Sequence, residues 1–395
     1  MNNFDVIVIG GGPMGLSAAY HLGQRGSTAL VLEQSGFFNQ DGSSAGVSRQ
    51  FRIPYPEEYM VKLVKQSVPF WDQLQTQTDV LLRDPVGTLW FGDPAVDTTE
   101  GNITQAEASL RAQDVPYDKL TAVDIEQKYG FHNLPPAYTG LFQADGASIN
   151  LTATMQTLFD RCSLSGTVTL QDQAKVTAIV QKDGVFEVVT PRGTFIGKKL
   201  VVVPGPYINS VINLLGFNIE AQYWNMASGF YRIKQPEIKY PTWFVFQKKV
   251  ENNPNLFYGF PEVSWNHPGY ARVASDFVMT PMTSPNQRTS VPNPQELAFT
   301  SAWVREHMPG LDPEPVFTST CMVALSDIDS KELLIDFAPP EVPNHKNIVV
   351  YATGWAGKFI PLLGSILADL ALDGKTSFDI SQFRTGHTYF TMNDR

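Results

Sequence analysis

The chain has 395 residues, of which 43% are hydrophobic and 17% charged, with a formal net charge of −10 and no block of Lys or Arg. That length supplies apolar material for two domains rather than one, and an acidic chain of this kind is repelled by nucleic acid and by anionic membrane surfaces. Two cysteines exclude a secreted disulfide framework, and six scattered histidines with no HxxxH or CxxC pair exclude an ordinary metal site.

Residues 4–9, FDVIVI, form the apolar, β-branched run of a buried parallel strand. Asp5 and the glycines that follow do not fit a secretory leader, and no apolar run reaches the roughly 18 residues of a membrane span. A cytoplasmic chain is therefore expected. Gly10, Gly12 and Gly15 make a GxGxxG, with Pro13 and Met14 inside it, and a helix is predicted beyond, closed by Gly26. The next strand, TALVLEQ, ends near Glu33, 23 residues past Gly10.

Each part of this unit has a mechanical reason. Gly10 permits a tight turn, Gly12 lets backbone approach a pyrophosphate, and Gly15 lets helix and strand pack closely. The helix N-terminus offers unpaired N–H groups to phosphate. Glu33 can accept both hydroxyls of a ribose, and it repels a 2′-phosphate, which disfavours NADP. The motif alone does not separate NAD from FAD; its place at the start of the chain favours FAD.

Residues 36–55 are polar and rich in Gly and Ser, and read as a loop carrying Arg49 and Arg52. A helix is expected over 57–74, with Pro69 inside it, and a strand over 86–92. Thr104 and Glu107 have capping-box spacing. Asn150 is placed to cap a helix over 151–162 that contains Cys162. Strands are expected over 166–203, turning at Asp183-Gly184 and Arg192-Gly193, and aromatic-rich strands over 220–280. Asn293, Pro294 and Glu296 start another helix with cap, first-position proline and acid in place. Residues 347–372 read as strand, glycine turn and helix.

Strand–turn–helix signals thus lie at both chain ends and in the middle. The fold expected is α/β, with a discontinuous nucleotide-binding Rossmann domain (1–85, 147–219 and 322–395). An α+β second domain (86–146 and 220–321) would cover it with an antiparallel sheet.

Taken together, Gly10–Gly15 with Glu33, Arg49-x-x-Arg52, Cys321 in TSTC and the turn GWAGKF resemble the monomeric sarcosine oxidase and N-methyltryptophan oxidase family of FAD amine oxidases. The similarity runs nearly end to end. It implies the glutathione-reductase-like fold and FAD bonded through its 8α carbon to a cysteine thioether, here Cys321. Read without the family, Cys321 in its apolar strand is a small buried hydrophobe, and Cys162 keeps that reading.

The resemblance also assigns roles. Arg52 and Lys358 would hold a substrate carboxylate, and Arg49 would lie beside the flavin and stabilise its reduced, anionic form. Val176, Gly354 and Gly357 fall at further cofactor positions. Arg272 stands where the sarcosine oxidases carry a lysine that assists oxygen. Trp355 replaces a smaller or imidazole-bearing residue and could stack on the flavin or on a flat substrate; a tryptophan filling the domain interface is the competing reading. Tyr258 flanks the strands that would roof the site. Asp276, at a histidine position of the family, would join Glu100 near a substrate nitrogen. The implied reaction is oxidation of a cyclic amino or imino acid, of the piperideine-2-carboxylate to picolinate type, with O2 as acceptor and hydrogen peroxide as product. The alternatives are two-electron oxidation of a secondary amino acid such as sarcosine, proline or pipecolate, and a flavin dehydrogenase using another acceptor. A monomer without metal, nucleic acid or membrane partner is expected.

Overall fold

The computed structural model describes residues 3–98, 100–251, 255–276, 280–326, 333–384 and 390–393. Residues 252–254 and 277–279, within the stretch expected to form aromatic-rich strands, lie outside the described residues.

The opening strand Asn3–Ile9 runs parallel to Ala29–Leu32 on one side and to Gly193–Val202 on the other. Val168–Gln171 and Ile348–Ala352 extend the parallel set outward in the two directions. The order is that of a doubly wound nucleotide-binding sheet. The first half of Gly193–Val202 also closes an antiparallel meander with Ala178–Lys182 and Val185–Thr190.

One face of this sheet is covered by helices Pro13–Gln24, Glu58–Gln75, Leu151–Leu164 and Ile360–Asp373, in a single apolar cluster. Their spacing is set by small residues. A Cβ at Gly364 would fall 2.0 Å from Ser17 Oγ and 2.5 Å from the Ser17 backbone carbon, so the first and last of these helices meet backbone to side chain.

The second sheet is mostly antiparallel. Its central strands are Gln222–Ile233, Tyr270–Ser275, Phe257–Phe260 and Thr242–Phe246; Thr88–Gly92 joins them in parallel, and Thr139–Gln143 and Asp118–Thr121 continue outward. Leu311–Leu325 lies along the other side of Gln222–Ile233. The far face packs against helices Ala122–Tyr129 and Pro294–His307 around Trp243, Trp303, Phe131 and Phe257. Trp243 and Trp303 stack 5.0 Å apart. The near face looks onto the nucleotide-binding sheet.

Two local expectations are corrected. Residues 36–55 are not all loop: Ser48–Phe51 forms a strand against Ala147–Asn150, which also takes Arg83–Asp84. The segment Ser-Arg-Gln-Phe lacks an apolar alternation, and only its distant partner makes it a strand. The predicted capping box at Thr104 is also displaced. The helix starts at Ile103, and Asn102 Oδ1 accepts from Gln105 N at 2.8 Å. Thr104 instead donates to Pro94 O at 3.0 Å, and Glu107 pairs with Lys119 and Arg111. Asn150 caps its helix as the sequence suggests, accepting from Ala153 N at 3.0 Å. The helix Glu58–Gln75 continues through Pro69.

Gly364→Ala should therefore destabilise the apoprotein by about 1–3 kcal/mol through overpacking, lowering its melting temperature by about 1–4 °C. Gly36→Ala, where a Cβ meets nothing within 4 Å, is the control. Equal melting of the two variants would show that the helix contact is not tight.

Candidate active site

A cleft of ≈ 280 Å³ runs between the C-terminal ends of the parallel strands and the near face of the second sheet. Its nucleotide end is built on the glycine turn. Gly10 has φ +117°, and a Cβ there would meet the Val203 carbonyl oxygen at 2.4 Å. A Cβ at Gly15 would meet Gly10 O at 1.8 Å. At Gly12 a Cβ would meet nothing within 4 Å, because this position opens into the cleft beside Pro13 and Met14. The helix begins there without a side-chain cap or a first-turn acid. Room for a group at Gly12 and uncapped N–H groups behind it suit a pyrophosphate.

Glu33 is buried at the cleft edge. Its Oε2 accepts from Gly11 N at 2.8 Å, and its Oε1 accepts from Ser35 N at 2.9 Å and Asn39 Nδ2 at 3.3 Å. A carboxylate has about four acceptor sites, so these three donors leave one for a ribose hydroxyl, and a second hydroxyl would compete with the long Asn39 contact. FAD therefore fits the residues present. Val176 does not line the cleft; its side chain packs with Ile7, Ile9 and Ile179 in the apolar layer on the other face of the sheet.

The cationic end comes from two segments that meet. Arg52 follows the strand Ser48–Phe51 and is 5% exposed. Its Nη1 donates to Pro54 O at 3.0 Å and its Nη2 to Glu100 Oε2, while its guanidinium lies 4.2 Å from the Tyr55 ring centroid and 5.0 Å from that of Trp90. Lys358, 3% exposed, comes from the glycine turn after Ile348–Ala352. Its Nζ donates to the Tyr55 hydroxyl and to Trp355 O at 2.8 Å. Trp71 Nε1 fixes the turn by donating to Lys358 O at 2.7 Å. Arg49 lies alongside and donates to the carbonyls of Ser43, Ala45 and Ser48. Gly357 is the position that admits it, since a Cβ there would come 3.1 Å from Arg49 Cβ.

The roof belongs to the second sheet. Tyr258 stacks near-parallel on Phe244 at 6.4 Å, and burial raises its phenol above the usual range, so it stays protonated at physiological pH. Arg272 lies 3.9 Å from the Phe260 centroid, and its buried Nε has no partner among the described residues; burial lowers its proton affinity, and Tyr258 opposes that effect. Asp276 is buried at the end of the same strand, its N–H held by Leu256 O at 2.9 Å. Cys321 is half-buried opposite Met226, and packs in one cluster with Tyr258 and Trp355. The Trp355 ring meets Trp224 edge to face, with centroids 6.3 Å apart. Glu100, Asp276, Arg272, Trp355, Cys321 and Gly354 all line the same cleft.

The turn before Trp355 is strained. Thr353 has φ +63°, a conformation costly for a β-branched residue. Its buried Oγ1 has no partner among the described residues, and the residue lines the cleft.

A model of the family "FAD dependent oxidoreductase" matches residues 5–370. The chain belongs to that family. A putative bifunctional amine oxidase of Dictyostelium discoideum is 32% identical over 405 residues, an alignment that takes 97% of this chain; the chain spans 37% of that protein's length. Human peroxisomal sarcosine oxidase is 28% identical over 400 residues, covering 96% of this chain and 95% of the relative. Among solved structures, NikD in its open form, an unusual amino acid oxidase essential for nikkomycin biosynthesis, matches with a TM-score of 0.91 at 36% identity, over 97% of this chain and 98% of that one. This oxidoreductase is thus FAD-dependent, of the sarcosine oxidase and NikD type, and acts on amino acids or amines.

Tyr55 escaped the sequence reading, and Trp71 belonged there only to the apolar face of the helix over 57–74, not to the site. Tyr55 lies 303 residues from Lys358, and no spacing connects them. The available signal was local: an aromatic residue between Pro54 and Pro56, three positions after Arg52. A hydrogen bond to a charged group is worth about 1.5–3 kcal/mol. Tyr55→Phe, which keeps the ring beneath Arg52, should weaken binding of a small carboxylate inhibitor about 10- to 100-fold. Titration of the flavin absorbance measures this; unchanged affinity would mean that Lys358 does not need the phenol.

Proposed function

We propose that the enzyme oxidises a cyclic imino or amino acid, of the piperideine-2-carboxylate to picolinate type. One observation carries this reading. Two buried cations, Arg52 and Lys358, converge on Tyr55 at one end of a cleft whose other walls are Trp355, Tyr258 and Phe244. Such an end suits a carboxylate, since a guanidinium fork pairs with both oxygens. Aromatic walls suit a flat ring.

Glu100 is bonded to Arg52 in the structure. A substrate carboxylate competes for the same guanidinium and frees Glu100 to face the substrate nitrogen. Glu100 and Asp276 then hold or accept the nitrogen's proton and stabilise an iminium charge. Tyr258, kept neutral by burial, can donate a hydrogen bond but carries no charge. Arg272 and Arg49 supply positive charge over the reacting region, where anionic flavin and reduced oxygen would be stabilised. Bound FAD would supply two-electron chemistry: a hydride from the carbon beside the nitrogen, together with the proton released from nitrogen, would pass on to O2 as hydrogen peroxide.

Cys321 is the cysteine that lines the cleft, and in this reading it carries the thioether to the flavin 8α carbon. Cys162 is fully buried beneath the first helix, where burial pushes its thiol up to about 12 and leaves it inert.

Product analysis tests the substrate. Piperideine-2-carboxylate should yield picolinate with two equivalents of peroxide, whereas a product that stops at a two-electron imine returns the enzyme to simple secondary amino acid oxidation. The anchor has its own test. After acid precipitation flavin should remain with the wild-type polypeptide and be lost from Cys321→Ala; flavin released from both would remove Cys321 from this role.

A further inference from the structure

Glu296 is a buried acid that the cleft chemistry leaves unused. It sits in the first turn of the helix Pro294–His307, 1% exposed, on the face of the second sheet opposite the cleft. Asn293 already caps that helix, accepting from Gln295 N at 2.9 Å. Glu296 Oε1 instead accepts from Ala227 N at 2.9 Å and from Ser275 Oγ at 2.8 Å.

Those partners belong to adjacent strands at the point where the strands part. Gln222–Ile233 and Tyr270–Ser275 pair from Arg232 with Tyr270 as far as Ser228 with Ala274, and no further. Continuing the register would set Ala227 opposite Ser275 and Met226 opposite Asp276. The Ala227 N–H goes to Glu296 instead, and Asp276 is held from its other side by Leu256. Among the described residues, pairing next appears where Asn225 N meets Thr280 O at 3.1 Å and Trp224 pairs with Pro281. The carboxyl group thus fills a missing rung, and Met226 and Asp276, on either side of the gap, both line the cleft.

The second carboxyl oxygen, Oε2, is buried without a hydrogen-bond partner among the described residues. Among titratable groups on the elements packed around it, Tyr223 and Tyr231 share its face of the sheet, with Tyr231 tied to Ser301 at 3.3 Å. Arg272, Asp276 and Cys321 lie on the cleft face. Arg288 turns to Thr320 O at 3.2 Å. Arg232, Tyr270, Asp312 and Glu314 stand toward the far end of the strands, and Arg305, Glu306 and His307 at the far end of the helix. An ionised carboxylate buried without a cation is costly, and burial pushes this carboxyl up to about 7. Asn225 lies two residues before Ala227, hence on the same face. Its buried Oδ1 has no donor among the described residues, which a carboxyl proton would complement.

We propose that Glu296 is a positioning residue for the reaction: as a neutral carboxylic acid it replaces the missing rung between the two strands and so holds Asp276 open to the cleft. The inference rests on the reading of Asp276 as a group beside the substrate nitrogen.

A double-mutant cycle on the flavin-loaded enzyme tests it, with kcat/KM measured from about pH 6 to 9 and apoprotein melting in parallel. Glu296→Gln keeps an oxygen for Ala227 and Ser275 and adds a permanent donor. It should stay within about twofold of wild-type kcat/KM at the acid end, and lack the fall that the wild type shows as pH rises through about 7. The stability sign is the same. The unfolded glutamate ionises near 4.5 and the folded one near 7, so the wild type loses stability between those values and the Gln variant does not. Glu296→Ala should lose about tenfold in kcat/KM and little more when Asp276→Asn is added. Additive losses, or an alkaline fall that persists unchanged in Glu296→Gln, overturn the role of Glu296 alone. An Asp276→Asn variant with wild-type kinetics overturns the reading of Asp276, and the inference with it.

Discussion

Arg52 and Lys358 reach the same phenol, Tyr55, from opposite ends of the chain, and the rest of the site is arranged around that meeting. Burying two cations together is costly unless each is given partners. Here the partners are the Glu100 carboxylate, the carbonyls of Pro54 and Trp355, and the faces of Tyr55 and Trp90. Most are neutral dipoles or ring faces rather than full negative charges. Such a cationic end suits the carboxylate of the proposed substrate. Trp71 belongs to the same device, because it ties the backbone of Lys358 to a helix of the nucleotide-binding half.

The second sheet serves two faces with different chemistry. Its far face is packed with stacked aromatic rings, Trp243 on Trp303 and Trp303 on Phe257, and that packing gives the platform its rigidity. The near face carries Tyr258, Arg272 and Asp276 on adjoining strands, with Cys321 across the sheet from them. Side chains alternate between faces along each strand, so one sequence of residues builds both the core and the roof. Glu296 is a buried acid on that far face, and it falls where the ladder between Gln222–Ile233 and Tyr270–Ser275 opens.

Two left-handed non-glycine positions, Phe38 and Thr353, line the cleft. Thr353 and Gly354 take positive φ in the turn that presents Trp355 and Lys358, and Phe38 does so in the loop beside Glu33. The surrounding sheet and helices hold these conformations: Tyr351 hydrogen-bonds Thr353 O at 3.1 Å, and Gly354 N reaches Ala324 O at 3.3 Å. The second contact brings the glycine turn against the strand that carries Cys321.

What the sequence determined by itself is the nucleotide half. The turn at Gly10–Gly15, the helix after it and the acid at 33 are local, because each depends on backbone freedom or on neighbours within one supersecondary unit. Asn150 and Asn293 announced their helices for the same reason: a cap bonds only two or three residues ahead. The strand at Ser48–Phe51 and the cap at Asn102 did not show, since the first exists only through pairing with Ala147–Asn150 and the second lies beside a competing Thr104–Glu107 pattern. The gathering of Arg52, Tyr55, Glu100 and Lys358 was decided by tertiary structure alone. Their contacts join segments up to 303 residues apart, and no local propensity encodes which buried charge will find which ring.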